Sequence, residues 1–508
     1  MPNATKKTTT PGKKTATTKK KANASVRIRM YRPGLGDCWL LTFPHAGKEN
    51  HILIDCGVFI GTPSQKDRLT NIASHIRKTT GDRVNALVAT HEHWDHVAGF
   101  FFAQDQFREL KPDEVWAAWT EDPDQTIATE NKKKTNAMAA AVGMAVTRMM
   151  TAESAYDREC GAAAAKVMDF SGALGAANFS ERSDQAMQFV TDQRKPGDRF
   201  LEPGDVLERD WIPGGLRVYV LAPPKDRDAL RQDRTPHEEG FKDEKDNKSR
   251  NPQDGAASAW AAALLGASGE NTPTGELAAT ADRARPFDIS LAWPEEEMFK
   301  QSASTATAND PIWPLTRRYR DEPWRRIDND WLHSAASLAL QLDNSINNTS
   351  LVLAIELVAS GKVLLFVGDS ELESWKSWQD RVFQLKNGAT VKAGDLLART
   401  VFYKVGHHGS GNATLRAGLA KMTSPELVAA VPTDTEFAST KQGWDMPAAK
   451  LAPALAAQAK GRVLYGDPGK DCIREQNPAG LSPQSWKQFV DAVDEDDRLC
   501  VDYHIRIP

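Results

Sequence analysis

A chain of 508 residues, 40% hydrophobic and 26% charged, has enough apolar surface for a large core, which excludes a fibrous or wholly unstructured protein. The formal charge of −4 hides an asymmetry: residues 1–24 hold seven lysines and no acid, leaving 57 basic against 68 acidic residues elsewhere. A body that acidic is not a general nucleic-acid binder, although a local basic groove is compatible with it. There is no apolar run of the roughly 18 residues a membrane helix needs, and the basic N-terminus lacks the apolar stretch of a secretory signal. Five scattered Cys without a CxxC fit reduced thiols. A cytoplasmic protein with no membrane partner is expected.

Residues 1–25, rich in Thr, Lys, Ala and Pro, predict a disordered basic tail that solubilises the chain or holds an acidic partner such as nucleic acid. From Val26 the chain alternates: VRIRMYRPG, then CWLLTFP and HILIDCG, predict two or three successive strands, and ALVAT (86–90) another. Residues 106–196 read as a helical insertion, with one or two long helices over the Ala- and Met-rich stretch 126–168. Strand and turn chemistry returns over 196–224, in PGDRFLEPGD and GLRVYVLAPP. Residues 225–345 are polar and rich in Pro and Gly, a mixed or irregular insertion ending in a helix over 328–343. Strands are then expected at 350–357, 362–369, 400–405, 426–432 and 462–467, with helix AAKLAPALAAQAK between the last two. The whole reads as one α/β domain over 26–508, with core segments at about 26–105, 197–224 and 346–508.

The strongest chemical signal is Thr90-His91-Glu92-His93-Trp94-Asp95-His96, directly after a buried strand. Neutral imidazole and carboxylate are natural ligands of Zn²⁺ and related divalent ions. Alternate residues of a tight turn can face one cavity, so His91 and His93 can converge on one ion while Asp95 and His96 turn toward a second. A polar helix cap with incidental histidines would be the plainer explanation, but three of the chain's eleven His within six positions weigh against it. Asp369 ends an apolar strand just after Gly368, where an ordinary turn would be the alternative. His407 and His408 follow another strand, with Gly on both sides.

These motifs resemble those of a known family. The His/Asp stretch is similar to the HxHxDH signature of the metallo-β-lactamase superfamily. GLGDCWLLTFP with HILIDCG, NNTSLVL (347–353) with LLFVGD, and YKVGHHGS (403–410) resemble the ComEC-like soluble hydrolase branch, over about half of the chain. The resemblance implies a four-layer αββα sandwich carrying helical and irregular insertions, with two metals at one edge between the sheets and Asp37 and Asp55 nearby. It assigns His91 and His93 to the first metal and Asp95 and His96 to the second. Asp369 would bridge both, and one of His407 and His408 would complete the second site. The catalytic set is then Asp95, His407 and His408, the unliganded His serving as general acid or electrostatic aid. Lys404 would be a phosphate contact or a plain surface lysine.

The implied function is a metal-dependent hydrolase using a dinuclear metal-bound hydroxide, a phosphodiesterase or nuclease acting on nucleic acid or nucleotides. Alternatives are an ester, lactone or β-lactam hydrolase, or a non-enzymatic, metal-stabilised interaction subunit. In the last case protein partners would dock on the insertions, through residues such as Trp293, Trp313, Trp324 and Trp331. Two divalent ions are expected, Zn²⁺ first and Mn²⁺ as the alternative. Two departures from the family stand out. Where a third His for the first ion is usual, this chain has Asn347-Asn348-Thr349-Ser350, so two imidazoles plus water or an amide oxygen are expected, with His333 the other option. Where relatives show His-Pro, it has Trp444-Asp445-Met446-Pro447.

Overall fold

A computed structural model describes residues 25–151, 155–168, 179–231, 237–241, 318, 335–475, 480–496 and 498–507. The basic tail, His333, the four insertion tryptophans and most of 225–345 lie outside the described residues. In chain order the strands are β1 (Ser25–Tyr31), β2 (Cys38–His45), β3 (Lys48–Cys56), β4 (Arg83–Val88), β5 (Lys111–Trp116), β6 (Val206–Arg209), β7 (Leu216–Ala222), β8 (Val352–Leu357) and β9 (Lys362–Phe366). They continue with the β10 (Val382–Gln384) and β11 (Thr390–Lys392) hairpin, β12 (Thr400–Lys404), β13 (Val428–Val431), β14 (Val463–Tyr465), β15 (Val493–Asp496) and β16 (Cys500–Arg506). The helices that bear on the site are α1 (Gln65–Thr80), α2 (Trp94–Phe102), α3 (Thr126–Met150), α4 (Ala155–Met168), α5 (Phe179–Thr191), α6 (Ala335–Asn347), α7 (Leu372–Trp378) and α8 (Leu451–Gln458).

Two seven-stranded sheets form, ordered β15-β16-β1-β2-β3-β4-β5 and β14-β13-β12-β9-β8-β7-β6. Their inner faces are the odd or even residues of apolar strands. Trp39, Leu41, Ile52 and Ile54 of the first sheet meet Leu353, Ile355, Leu364, Phe366 and Phe402 of the second. Trp39 sets its ring edge-on to Phe366 and Phe402, with centroids 5.7 and 6.0 Å away. The intervening residues bury outward: Leu40, Leu53 and Leu87 against α1 and α2, and Val363, Leu365 and Tyr403 against α7 and α8. Strands covered on both faces are apolar throughout, which is why these segments read as unbroken hydrophobic runs. The architecture is the expected αββα sandwich.

The structure redraws the edges of the insertions. Residues 111–116, expected inside the helical insertion, form β5, parallel to β4 with Leu87 opposite Val115. The stretch 126–168 is two helices, and α5 packs on α2 by Ala186, Met187 and Val190. The last insertion helix is described from Ala335 to Asn347, past the expected end at 343. It shares a core with α3 and α4, built from Val142, Val146, Met149, Ala164, Met168, Leu342 and Ile346. Among the described residues, α3, α4 and α6 therefore form one helical lobe drawn from both insertions. The C-terminal pair β15 and β16, absent from the expected strands, completes the first sheet by pairing β16 antiparallel to β1. Among the described residues no helix is long and apolar enough to cross a membrane.

Candidate metal centre

Three loops at the carboxyl ends of β4, β9 and β12 meet between the two sheets. After β4 the chain passes Thr90 and His91, and His93, in extended backbone, is the residue before α2. Asp95 and His96 thus sit in the first helical turn, where a carboxylate also suits the helix dipole. Gly57 permits the close approach of the preceding loop, since a Cβ there would lie 2.2 Å from the Asp95 carbonyl carbon. The Asp37 N–H donates to the Asp95 carbonyl at 2.9 Å, tying the loop before β2 to the same turn. Gly368, left-handed at φ +55°, lets the Asp369 loop pass Ser350, whose Cβ would be 2.8 Å from an added side chain. His407 and His408 are left-handed as well, at φ +44° and +52°, a conformation costly for residues other than glycine.

All seven expected site residues are buried. Asp95, His96, Asp369 and His408 converge, with ligand atoms within 4.8 Å of one another. His96 Nε2 is 3.1 Å from Asp369 Oδ2 and 4.0 Å from Asp95 Oδ2, and His408 Nε2 is 2.7 Å from Asp95 Oδ2. The opposite nitrogens are held from behind: His96 Nδ1 lies 2.8 Å from Asp55 Oδ2, and His408 Nδ1 donates to the Pro432 carbonyl at 2.8 Å. Such partners fix which nitrogen keeps its lone pair for a metal. Asp55 also accepts the Thr90 N–H and hydroxyl, at 2.8 and 2.7 Å. His91 and His93 lie beside this group, with ring centroids 4.8 Å apart. The His91 Nδ1 is 3.2 Å from the Ser350 hydroxyl and 3.1 Å from that of Thr90.

The His pair divides. His407 donates its backbone N–H to Asp369 Oδ1 at 3.0 Å, but its ring joins a second group with Asp343 and Glu371. Asn347 Nδ2, which bonds Asp343 Oδ2 at 3.2 Å and Glu371 Oε1 at 3.1 Å, is 3.5 Å from His407 Nδ1. No motif in the sequence marks Asp343 or Glu371. The signal that could have found Asp343 is its i,i+4 spacing to Asn347, which puts both on one helical face.

Burial, then the neighbouring imidazoles, push His91 well below its ordinary pKa, and burial brings His93 and His407 to about 4. Burial opposes charge on His96 too, but Asp369, Asp55, Asp37 and Asp95 outweigh it and push its pKa well up. His408 is raised likewise, by Asp95 above all, against the pull of burial. Asp369, despite burial, is held far below the usual carboxylate range by His96 and Lys404.

Lys404 is not a surface lysine. It is wholly buried, in contact with Asp37, and donates to Asp369 Oδ1 at 3.1 Å and to the Gly368 carbonyl at 2.7 Å. It shares the strand face of Phe402, which points between the sheets, so its ammonium is buried and paired with carboxylates. Glu92, between the two histidines, turns the other way and meets Lys132 of α3 at 2.9 Å. Lys132 also reaches Asp184 at 2.9 Å and Glu121 at 3.9 Å, and burial raises Glu121 to about 7. The Trp444–Pro447 segment packs on the HHGS turn, where Pro447 closes on Gly409.

The donor set fits divalent ions. His91 Nε2, both nitrogens of His93 and Asp95 Oδ1 are buried without a hydrogen bond, an arrangement native proteins avoid unless another partner is present. Imidazole and carboxylate are the groups Zn²⁺ and Mn²⁺ accept.

Comparison with known proteins agrees with this geometry. The family model described as the metallo-beta-lactamase superfamily matches residues 31–205, which include the HxHxDH motif but not Asp369 or the His407–His408 pair. No curated protein matches the chain. Fold and family match together support a metallo-β-lactamase α/β sandwich with His/Asp clusters suited to metals.

Proposed function

We propose that this chain is a cytoplasmic metal-dependent hydrolase of the ComEC-like branch, holding two divalent ions and cleaving phosphodiesters of nucleic acid or nucleotides. The observation that carries the reading is a cluster of buried donors: Asp95, His96, Asp369 and His408 with ligand atoms within 4.8 Å of one another, and beside them His91 and His93, whose Nε2 atoms make no hydrogen bond. In this reading His91 and His93 hold the first ion, and Asp95, His96 and His408 the second. Asp369 would serve both ions; its Oδ1 is secured by Lys404 and the His407 N–H, which leaves Oδ2 toward His96. Once bound, the ions would supply Lewis-acid polarisation of the substrate and lower the pKa of water to about 7.

The protein's own contribution is positional. Asp55 and the Pro432 carbonyl fix the tautomers of His96 and His408, and Asp369 offsets the repulsion of two cations. His407, with a pKa of about 4, is neutral at neutral pH and offers a hydrogen bond rather than an acidic proton. Phosphodiester is preferred over ester, lactone or β-lactam because a pair of ions could clamp both its attacked and its leaving oxygen. Protein purified without chelator, assayed for bound metal and against a chromogenic phosphodiester, a lactone and a β-lactam, should bind close to two ions and turn over the phosphodiester. A protein without bound metal or metal-dependent stabilisation would end the reading, and preference for a lactone or β-lactam would replace the substrate class.

A further inference from the structure

The described insertion helices reach the metal loop at two places: Lys132 of α3 meets Glu92, and the end of α6 approaches His93. The C-terminal turns of α6 carry Asp343 and Asn347, both buried, to the side of the centre where His93 stands. His93 Nε2 is 3.7 Å from Asp343 Oδ1, and neither His93 nitrogen makes a hydrogen bond. The other carboxylate oxygen, Asp343 Oδ2, accepts from Asn347 Nδ2 at 3.2 Å, so the side chain is oriented with Oδ1 toward the imidazole. A buried imidazole whose nitrogens make no hydrogen bond thus stands 3.7 Å from a buried carboxylate oxygen, a spacing at which one ion can take both as ligands. Two ligand atoms of one ion commonly lie three to four ångströms apart, about 2.1 Å from the metal each.

We infer that Asp343 is a ligand of the first ion, completing with His91 and His93 a two-imidazole, one-carboxylate set, and that the insertion is therefore part of the metal site. The inference rests on the dinuclear reading above and deepens it. It replaces the expected amide oxygen or water with a charged oxygen, and it needs nothing from His333. A carboxylate in place of a third imidazole makes the site harder and shifts its preference from Zn²⁺ toward Mn²⁺.

The test uses the full chain, wild type and the variants Asp343→Asn and Asp343→His, dialysed against Zn²⁺ or Mn²⁺ and analysed for metal per folded protein. Circular dichroism checks the fold of each variant. Wild type should hold two ions. Asp343→Asn should weaken one of them by at least about a hundredfold, the upper end of what loss of a mere supporting contact costs. Asp343→His should bind two Zn²⁺ and lose tenfold or more in relative affinity for Mn²⁺. Two ions held by Asp343→Asn with wild-type affinity would overturn the inference and leave the dinuclear reading standing. No ions in wild type would overturn both. Should Asp343→Asn fail to fold, Asp343→His decides alone, since an unaltered ratio of Mn²⁺ to Zn²⁺ affinity in that variant also refutes it.

Discussion

Asp55→Asn tests the support behind His96 with little disturbance to the backbone. Asp55 is left-handed at φ +57°, a conformation that asparagine tolerates nearly as well. Its carboxylate accepts three groups: the Thr90 N–H at 2.8 Å, the Thr90 hydroxyl at 2.7 Å and His96 Nδ1 at 2.8 Å. An asparagine can keep its oxygen on the Thr90 N–H, but its NH₂ then faces His96 Nδ1. That nitrogen must become an acceptor, and the imidazole proton moves to Nε2, the atom 3.1 Å from Asp369. The second ion loses a lone pair. If the amide flips instead, an NH₂ opposes the buried Thr90 N–H, an unmade bond worth about 1–3 kcal/mol. The expected result is a 10–100-fold loss of affinity for one ion of the two, about 1.4–2.7 kcal/mol, with a lower Tm where the flip prevails. Chelator competition and thermal melting on one preparation measure both. Affinities within twofold of wild type together with an unchanged Tm would refute the argument that Asp55 sets the His96 tautomer.

Asp369→Asn removes the charge between the ions while keeping an acceptor for the His407 N–H. It should retain the fold and much of the His91/His93 ion, lose most of the other, and lower kcat by roughly a hundredfold or more, read by metal analysis and turnover. Glu121 gives a pH signature. Burial raises its carboxyl from 4.5 to about 7, so between these values the folded chain keeps a proton that the unfolded chain has lost. Its contribution to stability is therefore present below pH 4.5 and lost as pH rises through about 7. Glu121→Gln should gain in Tm relative to wild type at pH 8 by about 2 °C or more compared with pH 5, and an equal Tm difference at both would contradict the assignment. Trp39→Ala empties the middle of the sandwich between Phe366 and Phe402 and should cost about 3–5 kcal/mol in denaturant unfolding, far more than a surface tryptophan would.

Much of this was legible because the strands and the His/Asp loop are local features. An apolar run buried on both faces and a ligand cluster within six residues both announce themselves in short windows. The parity of β12 also places Lys404 with Phe402 on the inter-sheet face, so its burial is legible in the strand pattern. Likewise Val501, Tyr503 and Ile505 alternate with polar residues in β16, a half-covered edge-side strand that the longer apolar runs overshadowed. Spacing could not divide His407 from His408. Adjacent residues in left-handed backbone send their rings to different groups, and nothing in YKVGHHGS states those angles. Asp343 was hidden for another reason. It belongs to a helix at the end of an insertion, and its nearness to His93 depends on the packing of α6 on α3 and α4.

That packing changes what the insertions are for. In His91-Glu92-His93 the two imidazoles lie together, ring centroids 4.8 Å apart, and the intervening carboxylate meets Lys132 on α3. The lobe therefore grips one three-residue loop at two points: from outside through Glu92 and Lys132, and from inside where Asp343 faces His93. If ion binding at His93 and seating of the lobe are coupled through this loop, each changes the other by an equal factor. Lys132→Met, which keeps the length of the stem and deletes the charge, leaves Glu92 with Asp184 and Glu121 as uncompensated carboxylates. It should loosen the lobe and weaken the His91/His93 ion although residue 132 lies outside the proposed ligand set. Added Mn²⁺ or Zn²⁺ should in turn slow proteolysis within α3 and α4. A lobe whose protease sensitivity ignores the ion, in a protein that binds it, would show the insertions to be bystanders to the centre.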